Sequence, residues 1–214
     1  MPTQRLWASV AIMLVAAGCR DAAAPTLANS EFSWTSAAVP PPSLAGLHVL
    51  RQAAGAPPLE TYQVSFWACD GEASTVRVNY QPVGGDSVGK PFMRFDIPKN
   101  ALATSPDGTH MKRGDSIFVT VTIDPVAFAV EFQPSGVWFS NGVPAQLTFW
   151  YENADPDLNG DGVVDAADQL LEQQIAVWGH TTDTPWVKLV SGNDTTLPSV
   201  STFVRHFSEY AVSW

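Results

Sequence analysis

The sequence predicts a mainly β protein: an antiparallel β-sandwich with one short helix that follows an acidic, calcium-type loop. Three observations predict it. Apolar and polar residues alternate in several short runs, turn-forming residues separate those runs, and one stretch alone has a helical period. Val76, Val78 and Tyr80 face one way, with Arg77 and Asn79 between them. Ile117, Val119, Val121 and Ile123 repeat the pattern with Thr120 and Thr122 opposite, followed by Val126, Phe128, Val130 and Phe132. A further run over Gln146 to Glu152 carries Leu147, Phe149 and Tyr151, and Ser201 to Trp214 reads as one last strand. Turn chemistry falls at Gly84-Gly85-Asp86, Pro106-Asp107-Gly108, Asp124-Pro125, Asn141-Gly142 and Gly192-Asn193-Asp194. Ala167, Leu170, Leu171 and Ile175 lie on one face of the predicted helix.

Composition agrees with a packed core. The chain has 214 residues, 45% hydrophobic and 11% aromatic, against only 15% charged. Its formal net charge is −10, and it lacks a basic cluster. Such a surface repels nucleic acid and anionic headgroups and favours cations.

The first 18 residues read as an export signal. Arg5 and the α-amine precede an apolar stretch from Leu6 to Ala17, interrupted only by Ser9. At about 12 residues it is shorter than the roughly 20 a membrane span requires. It ends at Ala16-Ala17-Gly18-Cys19, which resembles a bacterial lipoprotein processing box. The resemblance implies lipidation of Cys19 and anchoring at a membrane, periplasmic or cell-surface. Ala22-Ala23-Ala24 offers the competing site for plain secretion. If Cys19 carries lipid, Cys69 has no partner within the chain and is a small buried hydrophobe. Residues 19–46, rich in Ala and Pro and including Pro40-Pro41-Pro42, read as a tether, and residues 47–214 as the folded domain.

The strongest motif is Asp157 to Asp168. Counting from Asp157, oxygen ligands fall at Asp157 (1), Asn159 (3), Asp161 (5), the Val163 carbonyl (7), Asp165 (9) and Asp168 (12). Gly162 occupies position 6, where the chain turns sharply, and Val164 at position 8 is expected to point inward and anchor the loop. Calcium takes six to eight oxygens, and this spacing wraps five side chains and one carbonyl about a point. The competing reading is an acidic turn in which Asp165 caps the helix. Four carboxylates in twelve residues repel one another without a cation. Asp168 stands where an EF-hand usually has Glu, so the loop resembles dockerin-type loops. A single loop does not imply the dockerin partner.

Two further stretches carry a family resemblance. Phe95-Asp96-Ile97-Pro98-Lys99-Asn100-Ala101-Leu102 resembles the F-x-(I/V)-P-x-x-A-L element of the ZU-five domain of netrin receptors, ankyrins and tight-junction proteins. Phe132-Gln133-Pro134-Ser135-Gly136-Val137-Trp138-Phe139 resembles its P-x-G-x-x-F stretch, and His206-Phe207-Ser208 extends the likeness. The resemblance implies a β-sandwich used for contacts or tethering, without a cofactor, into which the loop and helix at 157–175 are inserted. In a few ZU-five proteins the same tripeptide cuts itself between Phe and Ser, which would make His206, Phe207 and Ser208 the reacting residues.

No catalytic set stands out beyond that tripeptide. His48, His110, His180 and His206 lack metal-ligand spacing, and no G-x-S-x-G, P-loop or dinucleotide fingerprint is present. The sequence therefore leads to a non-catalytic, calcium-stabilised binding or structural module of the cell envelope, with a protein or glycan partner. A self-cleaving module and a carbohydrate-binding accessory protein are the competing readings.

Overall fold

The computed structural model describes Leu44, residues 46–181 and residues 184–214. The export signal, Cys19 and most of the tether lie outside the described residues. Among the described residues no helix is long and apolar enough to cross a membrane.

Among the described residues, thirteen strands and one α-helix follow in chain order. The first strands are β1 (Gln63–Cys69), β2 (Ser74–Asn79), β3 (Pro91–Ile97), β4 (Leu102–Thr104) and β5 (Ser116–Ile123). Then come β6 (Ala129–Gln133), β7 (Trp138–Phe139), β8 (Ala145–Trp150) and the helix α1 (Ala166–Glu172). The chain closes with β9 (Ala176–His180), β10 (Val187–Lys188), β11 (Ser191–Asp194), β12 (Ser199–Val204) and β13 (Glu209–Ser213). Six strands pair in the order β1-β5-β6-β13-β9-β10, five in the order β11-β12-β8-β3-β2, and β4 pairs with β7. The fold is an antiparallel β-sandwich with a single short helix, as the alternation predicts.

Alternation decides which side chains fill the space between the two large sheets. Val119, Val121 and Ile123 of β5, Val130 and Phe132 of β6, and Tyr210 and Val212 of β13 point inward from one sheet. Val76 and Val78 of β2, Phe95 and Ile97 of β3, Leu147 and Phe149 of β8, and Val200 and Val204 of β12 meet them from the other. Each such side chain contributes about 1.5–3 kcal/mol on leaving water. The intervening polar residues face out, where the Ser65 and Thr120 hydroxyls bond across β1 and β5 at 2.9 Å.

Where structure and sequence expectation part, the cause is tertiary. Val126 is exposed, because Asp124 Oδ1 accepts the N–H groups of Val126 and Ala127 and turns the chain before β6 starts. Gly192-Asn193-Asp194 is strand, paired with β12, and the turn comes after it, where Asp194 Oδ1 accepts from Thr196 and Leu197. The run from Ser201 to Trp214 is two strands. Val204 still pairs with Ala145 in the five-stranded sheet, while Glu209 pairs with Glu131 and His180 in the six-stranded one. Residues 205–208 carry the chain from one sheet to the other. Cys69, expected as a lone buried thiol, is buried but disulfide-bonded. The sequence holds one other cysteine, Cys19.

Candidate metal centre

The acidic loop lies in the connection that leaves β8 in the five-stranded sheet and enters β9 in the six-stranded one, at one end of the sandwich. Its shape is set by carboxylates gathering backbone N–H groups. Asp157 Oδ1 accepts from Gly160 at 2.9 Å and Asp161 at 3.1 Å, and Asp157 Oδ2 accepts from Gly162 at 2.8 Å. The chain can wrap this tightly because Gly160 and Gly162 have φ of 74° and 87°, a region costly to residues with a Cβ. Asn159 Oδ1 accepts from the Asp161 N–H at 2.9 Å, and Asp161 Oδ1 from the Val163 N–H at 2.8 Å.

Asp165 and Asp168 start the helix together. Asp165 is the N-cap, its carboxylate accepting the Ala167 N–H at 2.7 Å, while Asp168 accepts the Asp165 N–H at 2.9 Å in a reciprocal capping box. The other Asp168 oxygen reaches back across the loop to the N–H groups of Leu158 at 2.8 Å and Asn159 at 3.1 Å. Asp168 is only 3% exposed. Hydrogen bonds from Asp165 first and then Asn159 hold its pKa below the ordinary carboxylate range, against the opposing effect of burial.

This corrects two expectations. The helix buries Asp168, whereas Ala167 and Leu170 of the predicted apolar face are exposed, and Ile175 is buried beyond the helix end. Val164 at position 8 is 60% exposed. A lone loop and helix have no second loop to cover that side chain, so it stays at the surface.

Five of the six proposed ligand residues lie in the loop, and Asp168 lies in the first turn of α1. Among the described residues, no group of three or more His, Cys, Asp and Glu side chains gathers closely enough to hold a metal ion. The donor chemistry nonetheless suits a hard cation. A carboxylate has about four lone-pair sites, and Asp157, Asp161 and Asp165 use only some of theirs on N–H groups.

The other sequence-derived stretches meet elsewhere. Phe95, Phe132, Phe139 and Phe207, one or two from each of these three stretches, form a single aromatic cluster in the core. The Phe207 ring centroid lies 5.6 Å from Phe132, 5.2 Å from Phe139 and 6.0 Å from Phe95. The backbone around it is tied to the segment after β6. Phe207 donates to the Val137 carbonyl at 2.8 Å, and Gly136 donates to the Phe207 carbonyl at 3.1 Å. Ser208 is 2% exposed, and its hydroxyl donates to the His180 carbonyl. His206 Nδ1 lies 3.4 Å from the Phe207 carbonyl oxygen, and its ring packs 4.7 Å from that of Trp138. Desolvation pushes the His206 pKa below its ordinary value, partly offset by the Phe207 carbonyl.

Sequence reasoning missed a groove of about 310 Å³ between the loop-helix segment and the core, lined by residues from Leu50 to Pro198. Its wall includes Tyr151, Val164, Glu172 and Ile175, which are far apart in sequence or fall in different elements. Only their spatial convergence could reveal it. No protein-family model, curated protein or solved structure matches this chain.

Proposed function

We propose that this protein is an exported, non-catalytic binding or structural module of the cell envelope, stabilised by calcium at Asp157, Asn159, Asp161, the Val163 carbonyl, Asp165 and Asp168. The observation that carries this is the loop itself: Asp157 draws in three N–H groups while two glycines at positive φ bend the chain around it. A cation there offsets the repulsion of four carboxylates and fixes the end of the sandwich. The Ser208 hydroxyl, donated to a carbonyl and not to a base, supports the non-catalytic reading over self-cleavage. Residues 1–18 direct export. Cys19 then carries a lipid anchor, is removed by cleavage after Ala24, or is retained and free to form a disulfide, because one sulfur cannot carry both a lipid and a disulfide.

Thermal melting in calcium and in chelator tests the site. With a dissociation constant of about 10 μM and about 1 mM free calcium, linkage adds roughly 2.7 kcal/mol. That raises the melting temperature by about 5–10 °C for a domain of this size. The double variant Asp157→Ala/Asp161→Ala should lose the shift. A wild-type protein that melts identically in chelator and calcium overturns the proposal.

A further inference from the structure

We propose that the groove beside α1 is a docking site for a peptide segment of a partner protein that presents a basic residue next to a bulky aliphatic one. This deepens the binding-module reading above, yet it needs no metal. The floor is apolar and rigid: Leu50 is 1% exposed and Ile175 3%, both within the main core cluster. At about 310 Å³ the space falls at the lower end of ligand-site volumes, enough for one or two side chains.

Charge selects the occupant. Glu152, Asp155, Asp168 and Glu172 line the groove, within a chain of net charge −10. Glu152 already pairs with Lys90, while Glu172 adds negative potential inside. That potential is felt by the Tyr151 phenol, whose pKa is pushed up by burial first and then by the charges of Glu172 and Asp194. Tyr151 is locked by a 2.7 Å bond to Asn193 Oδ1, and Asn193 donates in turn to the Glu172 carbonyl at 2.7 Å, so the wall is preorganised. An ammonium or guanidinium at the mouth is favoured, and a carboxylate is repelled.

The rim points to a peptide and not to a free amine. Val164 lines the groove and is 60% exposed. An exposed aliphatic side chain on the wall of an acidic groove extends the contact beyond the volume a small amine fills.

The test titrates isotopically labelled full-length protein, with calcium and again in chelator, with N-acetyl-leucyl-lysine amide and with N-acetyl-leucyl-glutamate amide. The lysine peptide should shift the amide resonances of Tyr151, Val164, Gln169 and Ile175, and the glutamate peptide should bind about tenfold more weakly, a factor one charge contact can supply. Glu172→Lys should reduce the preference, and the exposed substitution Val164→Gln should weaken both peptides. Equal binding of the two peptides, no shifts at these residues, or a preference untouched by Glu172→Lys overturns the proposal. So does a concentration-dependent dimer that Val164→Gln abolishes without peptide binding, which would give the face to a second copy of this chain. Because the titration runs both with calcium and in chelator, absence of binding in both overturns the docking site, and failure of the calcium reading shows separately, in the melting experiment.

Discussion

Replacing Phe207 by alanine asks whether the His-Phe-Ser stretch is built for packing or for reaction. Phe207 is 1% exposed, and its ring is stacked on Phe132 at an interplanar angle of 6° and set edge-on to Phe139 at 90°. Deleting a ring so enclosed costs about 3–5 kcal/mol, because the β-sheets around the hole cannot collapse into it. At about 2–4 °C per kcal/mol for a domain of this size, melting should fall by roughly 6–20 °C. Phe203 supplies the control, since it is 64% exposed on β12, four residues earlier. Phe203→Ala should cost less than about 1 kcal/mol, mostly lost strand preference. Urea unfolding of the two variants beside wild type measures both. Equal losses would refute the packing argument. An intact mass ending at Phe207 in the wild type, absent in Ser208→Ala, would refute it in favour of self-cleavage.

The remaining predictions concern the loop, the corner and the cysteines. Gly162→Ala should lose about 1–2 kcal/mol from backbone strain alone, since φ is 87° and no heavy atom lies within 4 Å of the added Cβ. A stability unchanged in urea melts would mean the loop relaxes without that conformation. Burial lowers the His206 pKa, so the unfolded chain takes up this proton first as pH falls. Its stabilisation is complete above about pH 6.5 and is lost as pH drops towards the folded value. His206→Gln should therefore flatten the decline in unfolding free energy between pH 7 and pH 5.5, and an identical slope would assign the decline to other groups. Cys69 is disulfide-bonded, so alkylation of denatured, unreduced protein should find no free thiol. One free thiol together with a fatty-acid label would show Cys19 lipidated and Cys69 unpaired.

The fold was legible because a sheet writes its burial into the sequence at period two. Val119, Val121 and Ile123 are buried, and Thr120 and Thr122 lie between them partly exposed, as alternation requires. It was less legible where strands change sheets. Between Val204 and Glu209 stand Arg205, His206, Phe207 and Ser208, with no Gly or Pro among them to mark the passage. The passage is fixed by partners more than sixty residues earlier, such as Phe132, whose N–H binds the Ser208 carbonyl at 2.9 Å. Tyr210, Ala211, Val212 and Ser213 are all buried, so β13 has no solvent face to read.

The loop shows a different limit. Ligand spacing is a one-dimensional property, so Asp157 to Asp168 stood out from the letters alone. What each carboxylate does is not one-dimensional, since a backbone N–H and a cation compete for the same lone pairs. Asp168 illustrates this. Its carboxylate joins the loop's beginning at Leu158 and Asn159 to the helix start at Asp165. A Glu there would extend one methylene further, whereas the shorter Asp holds its oxygens close to those N–H groups. The helix is consequently fastened to the loop through one side chain, and Asp168 and Glu172 of that helix also line the groove beside the core. Any cation that recruits Asp168 must pull on the same three hydrogen bonds that place the groove's wall. The metal and the docking surface are thus mechanically joined, although each can be tested without the other.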